Sequence, residues 1–149
     1  MIVPDKILYG HAMNSLDTAV GGYADSEMRA SGLNQAKDIV EKAFGRDHIL
    51  TYRGYINTGK DTGEWADCSI ELMTEEMVCG EDYDDEGDNV VSLARVPSDF
   101  IDVYEDGYWN YWLQDVHSAD SFATVRNYSH AYDSPASSAY GVRPAFALY

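Results

Sequence analysis

The last third of the chain limits what it can fold into more than any other stretch. Tyr111-Trp112-Leu113 and Gly141-Val142-Arg143-Pro144-Ala145-Phe146-Ala147-Leu148 are dense apolar anchors. Small polar and aromatic residues fill the segment between them. From position 108 to 140, five Tyr, six Ser, two Asn, three Asp and two His make up 18 of 33 residues, without a single Lys or Glu. An ordinary solvated loop carries Lys and Glu. A recognition surface carries Tyr, which offers contact area at low entropic cost, and Ser and Asn, which offer adaptable hydrogen bonds. The anchors therefore read as core and the stretch between them as a binding face.

Length and charge bound the rest. The 149 residues fit one domain, 1–149, with enough material to bury a core. Apolar residues at 45% make disorder a poor reading of the bulk. The net charge of −16, from 26 acidic and 10 basic residues, repels phosphate and works against nucleic acid and anionic membranes as partners. No apolar run approaches the ~18 residues of a membrane span, so no membrane insertion is expected. Met1-Ile2-Val3-Pro4-Asp5-Lys6 lacks the basic-then-apolar layout of a secretion signal. Cys68 and Cys79 are too few for a disulfide framework and have no zinc spacing. They read as reduced, packed thiols of a protein made in a reducing cytoplasm.

Along the chain, Ile2 to Tyr9 reads as an opening strand, with Pro4 holding it to an edge or a start. Asp25-Ser26 offers a helix N-cap, and Met28, Leu33, Ala36, Ile39, Val40 and Phe44 follow at roughly helical spacing. Gly32 predicts a kink or two short helices, and Gly45 a C-cap. Ile49 to Ile56 alternates like a strand, and 57–64 is a turn. Ile70 to Val78 reads as a strand, or as a short helix begun at Thr74. Trp109 to Val116, Phe122 to Tyr128 and Val142 to Leu148 read as strands, the last beginning near Pro144. Early helix, then short strands and long loops, is an α+β order rather than a repeating βαβ one.

Few motifs carry chemistry. Asp82, Asp84, Glu86 and Asp88 place oxygens as in a calcium loop with Gly87 at the turn, yet the closing bidentate Glu is Leu93. No cofactor is expected, with calcium in that loop as the alternative to a solvated acidic turn. His11, His48, His117 and His130 lack ligand spacing, and no Gly-x-Ser-x-Gly elbow or phosphate loop occurs. Nothing assembles a nucleophile, a base and an orienting group, so the chain reads as non-enzymatic. Arg143 reads as a structural cation anchored by buried carbonyls or a carboxylate. Trp65, Trp109 and Trp112 read as core or hinge packing.

Three blocks carry a family resemblance. They are Gly21 to Arg29, Ile70 to Gly80, and Tyr111 to Val116 taken with Gly141 to Leu148. Together they resemble the phage-associated domain DUF6273 of bacteriophage and prophage structural proteins, over about Tyr9 to Leu148. The Gly141–Leu148 ending also resembles the closing strand of C-type-lectin-like domains related to the formylglycine-generating enzyme. Some of those are the variable proteins of diversity-generating retroelements, whose variable sites drift toward Tyr, Ser, Asp and His. Gln114, where most members have Arg or Lys, and the acidic insert at 81–88 depart from the pattern. The enzyme branch uses reactive cysteines, and neither Cys68 nor Cys79 is placed correspondingly.

The resemblance implies a C-type-lectin-like α+β domain on a virion surface, present in many copies. Its implied partners are a host cell-surface glycan or protein and other virion proteins. The contact face expected from the polar stretch is Asn110, Asp115, His117, Asp120, Asn127, Tyr128, His130, Tyr132, Asp133 and Tyr140. Strand alternation would turn these one way while Trp112, Leu113, Phe122 and Val125 pack inward. The rival expectation is a capsid or tail decoration domain whose polar face meets neighbouring subunits. A third is a calcium-dependent glycan binder using the 82–88 loop.

Overall fold

The structure, a computed structural model, describes residues 1–79, 110–126 and 130–149, apart from the side chains of Cys79, Arg126 and His130. Its helical part follows the local rules closely. Ser26 Oγ accepts the Arg29 N–H at 3.1 Å, as a capping hydroxyl does. A π-helical turn, Met28–Gly32, leads into α1, Asn34–Phe44, so the irregularity falls at Gly32. Gly45, with φ 88°, ends α1 and returns its N–H to Glu41 O. Ala36 and Val40 are the buried residues of α1.

Among the described residues, nine strands make three sheets. In chain order they are β1 (Tyr9–Ala12), β2 (Tyr52–Asn57), β3 (Gly63–Cys68), β4 (Glu71–Leu72) and β5 (Tyr111–Ser118). Then come β6 (Ser121–Arg126), β7 (His130–Pro135), β8 (Ala139–Val142) and β9 (Pro144–Ala145). The main sheet has the order β1-β8-β5-β6-β7, with only the β5–β8 contact parallel. β2 and β3 form a hairpin, and β4 pairs with β9. A short helix, α2 (Glu75–Cys79), follows β4, with Thr74 Oγ1 accepting the Met77 N–H. The described residues thus form a mixed α+β fold.

Several expected elements shift. Ile2 to Tyr9 is not a strand: Ile2 makes one bridge, to Phe146, and β1 starts only at Tyr9. Residues 70–78 are both readings in turn, β4 and then α2. The closing strand is two strands, because at Arg143 the chain leaves the main sheet and pairs with β4 instead. β3, β7 and the first three residues of β8 lie where the sequence predicts no strand. Trp109 lies outside the described residues, as does the acidic stretch at 81–88.

The main correction concerns alternation. Tyr111, Trp112, Leu113 and Gln114 are all buried, so β5 has no solvent face. Trp112 and Phe122 pack edge to face, ring centroids 6.4 Å apart, with Met13, Tyr23, Met28 and Ile56 on one side of the sheet. Tyr111, Leu113, Ala123 and Val125 pack with Ile7, Met73 and Val78 on the other. A continuous apolar run is what a strand covered on both faces requires. Arg143 is fully buried, as a structural arginine: its Nε donates to Pro4 O at 2.8 Å and its guanidinium lies 5.1 Å over the Tyr111 ring. Trp65, in contrast, is not core; it stands 63% exposed.

Gly141 lies where β1, β8 and β5 crowd together. A Cβ there would stand 2.7 Å from Ile7 Cγ2 and 2.8 Å from Asn110 O. Gly141→Ala is expected to destabilise the fold by about 1–3 kcal/mol, the usual cost of overpacking a filled site. Urea unfolding with an unchanged midpoint would refute this.

Candidate functional site

Three of the ten candidate contact residues gather at one end of the main sheet. Asp115 Oδ2 accepts the Glu75 N–H at 2.7 Å, tying β5 to the start of α2. His117 donates from Nε2 to Glu75 Oε1 at 3.1 Å. Asp133, exposed on β7, adds its field to the same imidazole. Burial pushes the Asp115 carboxyl up to about 6, against hydrogen bonds from Glu75 and Asn57 that pull it down. The hydrogen bond to Glu75 raises the His117 pKa, opposed by partial desolvation. Two titratable groups, each held above its ordinary pKa, therefore share Glu75 as a partner.

The other candidates are divided from these by register. Asn110 Nδ2 donates to Thr124 Oγ1 at 3.1 Å, and Thr124 Oγ1 lies 2.8 Å from Ser134 Oγ. Thr124 pairs with both Trp112 and Tyr132, so Asn110, Tyr132 and Tyr140 belong to the Trp112 side of the sheet. Tyr140 packs edge-on against Trp112 at 5.0 Å. The single face expected from alternation is therefore two faces, because the candidates occupy both odd and even positions along β5 and β7. Asp120 is exposed in the β5–β6 turn, where it accepts the Ser118 hydroxyl at 2.8 Å.

β7 ends the main sheet, so side chains from both faces come together along one rim. Tyr132 and Asp133 are adjacent there, with His117 and Asp120 at the β5 end. His130 begins β7, but its side chain lies outside the described residues. Asn127 and Tyr128 also lie outside them, as do Asp82, Asp84, Glu86 and Asp88 of the acidic loop. Among the described residues, no group of three or more His, Cys, Asp or Glu is placed to hold a metal.

A second polar centre was not visible in the sequence. Glu71 is buried on β4; Tyr23 donates its hydroxyl to Glu71 Oε2 at 2.5 Å. Arg29 meets the same carboxylate from Nε and Nη2, each at 3.3 Å. The Tyr23 oxygen also accepts the Leu72 N–H at 3.2 Å. Burial, and then the Glu71 charge, hold the Tyr23 phenol well above its ordinary pKa. Beside this centre opens a groove of about 710 Å³ lined by Asp25, Ser26, Lys37, Asp67 and Ser69. Tyr23, Arg29 and Glu71 are distant in sequence and share no spacing motif.

No family model, curated protein or solved structure matches this chain. Its function is therefore argued from its own geometry. Among the described residues no helix is long and apolar enough to cross a membrane.

Two measurements probe these centres. Tyr23→Phe leaves Glu71 and the Leu72 N–H each short of a buried partner, and is expected to cost about 1–3 kcal/mol of stability. A variant as stable as the parent in denaturant would contradict the assignment. The second concerns pH. Asp115 and His117 both have folded pKa values above their ordinary ones, so each stabilises the fold at acid pH and loses that contribution as pH rises. For Asp115 the loss falls between its ordinary 3.8 and about 6. For His117 it falls above 6.5. Asp115→Asn keeps an acceptor for Glu75 N–H and removes the charge. It is expected to melt higher than the parent at about pH 7 and to narrow the gap between about pH 5 and pH 7. An unchanged gap would mean that Asp115 does not titrate in this range.

Proposed function

We propose that this chain is a non-enzymatic display domain of a bacteriophage particle, built on a C-type-lectin-like frame, that binds a glycan or protein on the host surface. The observation that carries the reading is the placement of the polar, aromatic stretch. It hangs from a strand buried on both faces, and its outermost members reach solvent at one rim. A frame held that firmly tolerates changes at the rim without losing its fold, which is what a variable contact surface requires. His117, Asp120, Tyr132 and Asp133 form the described part of the contact rim. Asn110, Asp115 and Tyr140 set the frame beneath it through their own hydrogen bonds and ring contacts.

The absence of catalysis in this reading rests on how the reactive groups are used. Cys68 is a buried thiol whose pKa burial pushes up, the reverse of an activated nucleophile. Many copies on one particle would raise weak single-site binding to useful avidity. The test is a fluorescent tetramer of the full chain applied to a panel of bacterial cells. Adhesion to some strains is expected, with His117→Ala/Asp133→Ala weakening it about tenfold or more while melting shifts little. Adhesion insensitive to that pair would remove the rim. Binding to virions but to no cell would favour the decoration role instead.

A further inference from the structure

The β2–β3 hairpin has two unlike faces. Inward, Ile56 and Cys68 are buried in the core beside Tyr52 and Ala66. Outward, Tyr55 and Trp65 stand opposite each other in register, 55% and 63% exposed. Their rings meet edge to face at 5.5 Å and 68°. One large exposed ring is ordinary, but two held together in water need a reason.

The pair is also held in place. A Cβ at Gly63 would collide with Tyr55 Cε1 and stand 2.8 Å from Cζ, so the Tyr55 ring lies over the bare backbone of Gly63. Arg53, one pair along the same face, donates from Nη1 to Asp67 Oδ1 at 3.1 Å and from Nη2 to Trp65 O at 3.2 Å. At the other end, Thr58 donates its hydroxyl to Thr62 Oγ1 at 3.0 Å. Fixed rings with hydrogen-bonding groups at both ends are complementary to a sugar. The electron-rich ring face attracts the weakly positive C–H face of a pyranose, and the flanking polar groups meet its hydroxyls. Charge narrows the class. A chain of net −16 repels anionic sugars, and Arg53, the cation beside the ring pair, already faces Asp67, with exposed Lys60 of the β2–β3 turn as the hairpin's other cation.

We propose that the outward face of the β2–β3 hairpin, Tyr55 and Trp65 flanked by Arg53 and Asp67, binds an uncharged sugar ring of a glycan. The proposal does not depend on the β7 rim being a contact surface. The test is a ¹H–¹⁵N titration of the full chain with maltotetraose, mannotetraose and chitotetraose. Saturable shifts of the Trp65 indole N–H and of β2–β3 amides are expected with at least one of them. Trp65→Ala is expected to weaken that binding about tenfold or more, and Tyr55→Phe to retain most of it, with both melting profiles close to the parent's. Shifts confined to His117 and Asp133 would overturn the hairpin site and favour the rim. Indifference of Trp65 to all three sugars would overturn it too. So would a self-associating parent that Trp65→Ala converts to monomer, since the face would then be covered by a second copy.

Discussion

One buried carboxylate, Glu71, joins parts of the chain that otherwise have no reason to meet. An ion removed from water is tolerated only with partners for its charge and its lone pairs. Glu71 has the Tyr23 hydroxyl and the Arg29 guanidinium. These fix the loop that launches the helical segment against β4. From β4 the connections continue: Leu72 O accepts from Gln114 Nε2 at 2.7 Å, and Met73 O accepts the Gln114 N–H at 2.9 Å. Pro144, two residues after Val142 of β8, pairs with Leu72. The sequence segments around Tyr23–Arg29, Glu71–Met73 and Gln114 with Pro144 are thus one connected assembly in space. Their residues are explained by that assembly, without invoking a ligand.

The same assembly determines where recognition is feasible. Because β5 is covered on both sides, its polar residues reach water only towards its end, at Asp115, His117 and Ser118. Asp115 is nearly consumed by the frame, and its raised pKa registers how far it has left water. The composition of 108–140 therefore overstates the contact surface. Much of that polarity closes hydrogen bonds inside the sheet, as Asn110, Thr124 and Ser134 do.

Legibility in the sequence tracked how local the cause was. The cap at Ser26, the break at Gly32 and the stop at Gly45 are decided within one helical turn, and each falls where the residues put it. β7, His-Ala-Tyr-Asp-Ser-Pro, offers no alternation of apolar residues, because its buried position is Ser134 and its core partner a small Ala131. β3 was hidden for a related reason: its largest residue, Trp65, faces water, so the usual apolar mark points the wrong way. The split of the closing strand at Arg143 depends on β4, which lies seventy residues away. No window on the ending alone contains that information. The Glu71 centre is the extreme case, since its geometry exists only after the fold does.

Acidity, read first as a bar to phosphate, takes on a second meaning once the cations are located. Among the described side chains, Arg29 faces Glu71, Arg46 faces Glu41, Arg53 faces Asp67, and Arg143 is buried against the Pro4 carbonyl and the Tyr111 ring. Every described arginine is engaged in the fold. Such pairs near the surface contribute little stability individually, yet they leave few cations to meet an anionic ligand. Among the described residues, what remains at the rim and on the hairpin, Lys60 of the turn apart, is hydroxyls, carboxylates and aromatic rings. That inventory suits neutral, hydroxyl-rich partners, where direction comes from hydrogen bonds and contact area from rings rather than from charge. The excess of negative charge then acts mainly by repulsion, excluding polyanions from a surface whose own attractions are short-ranged.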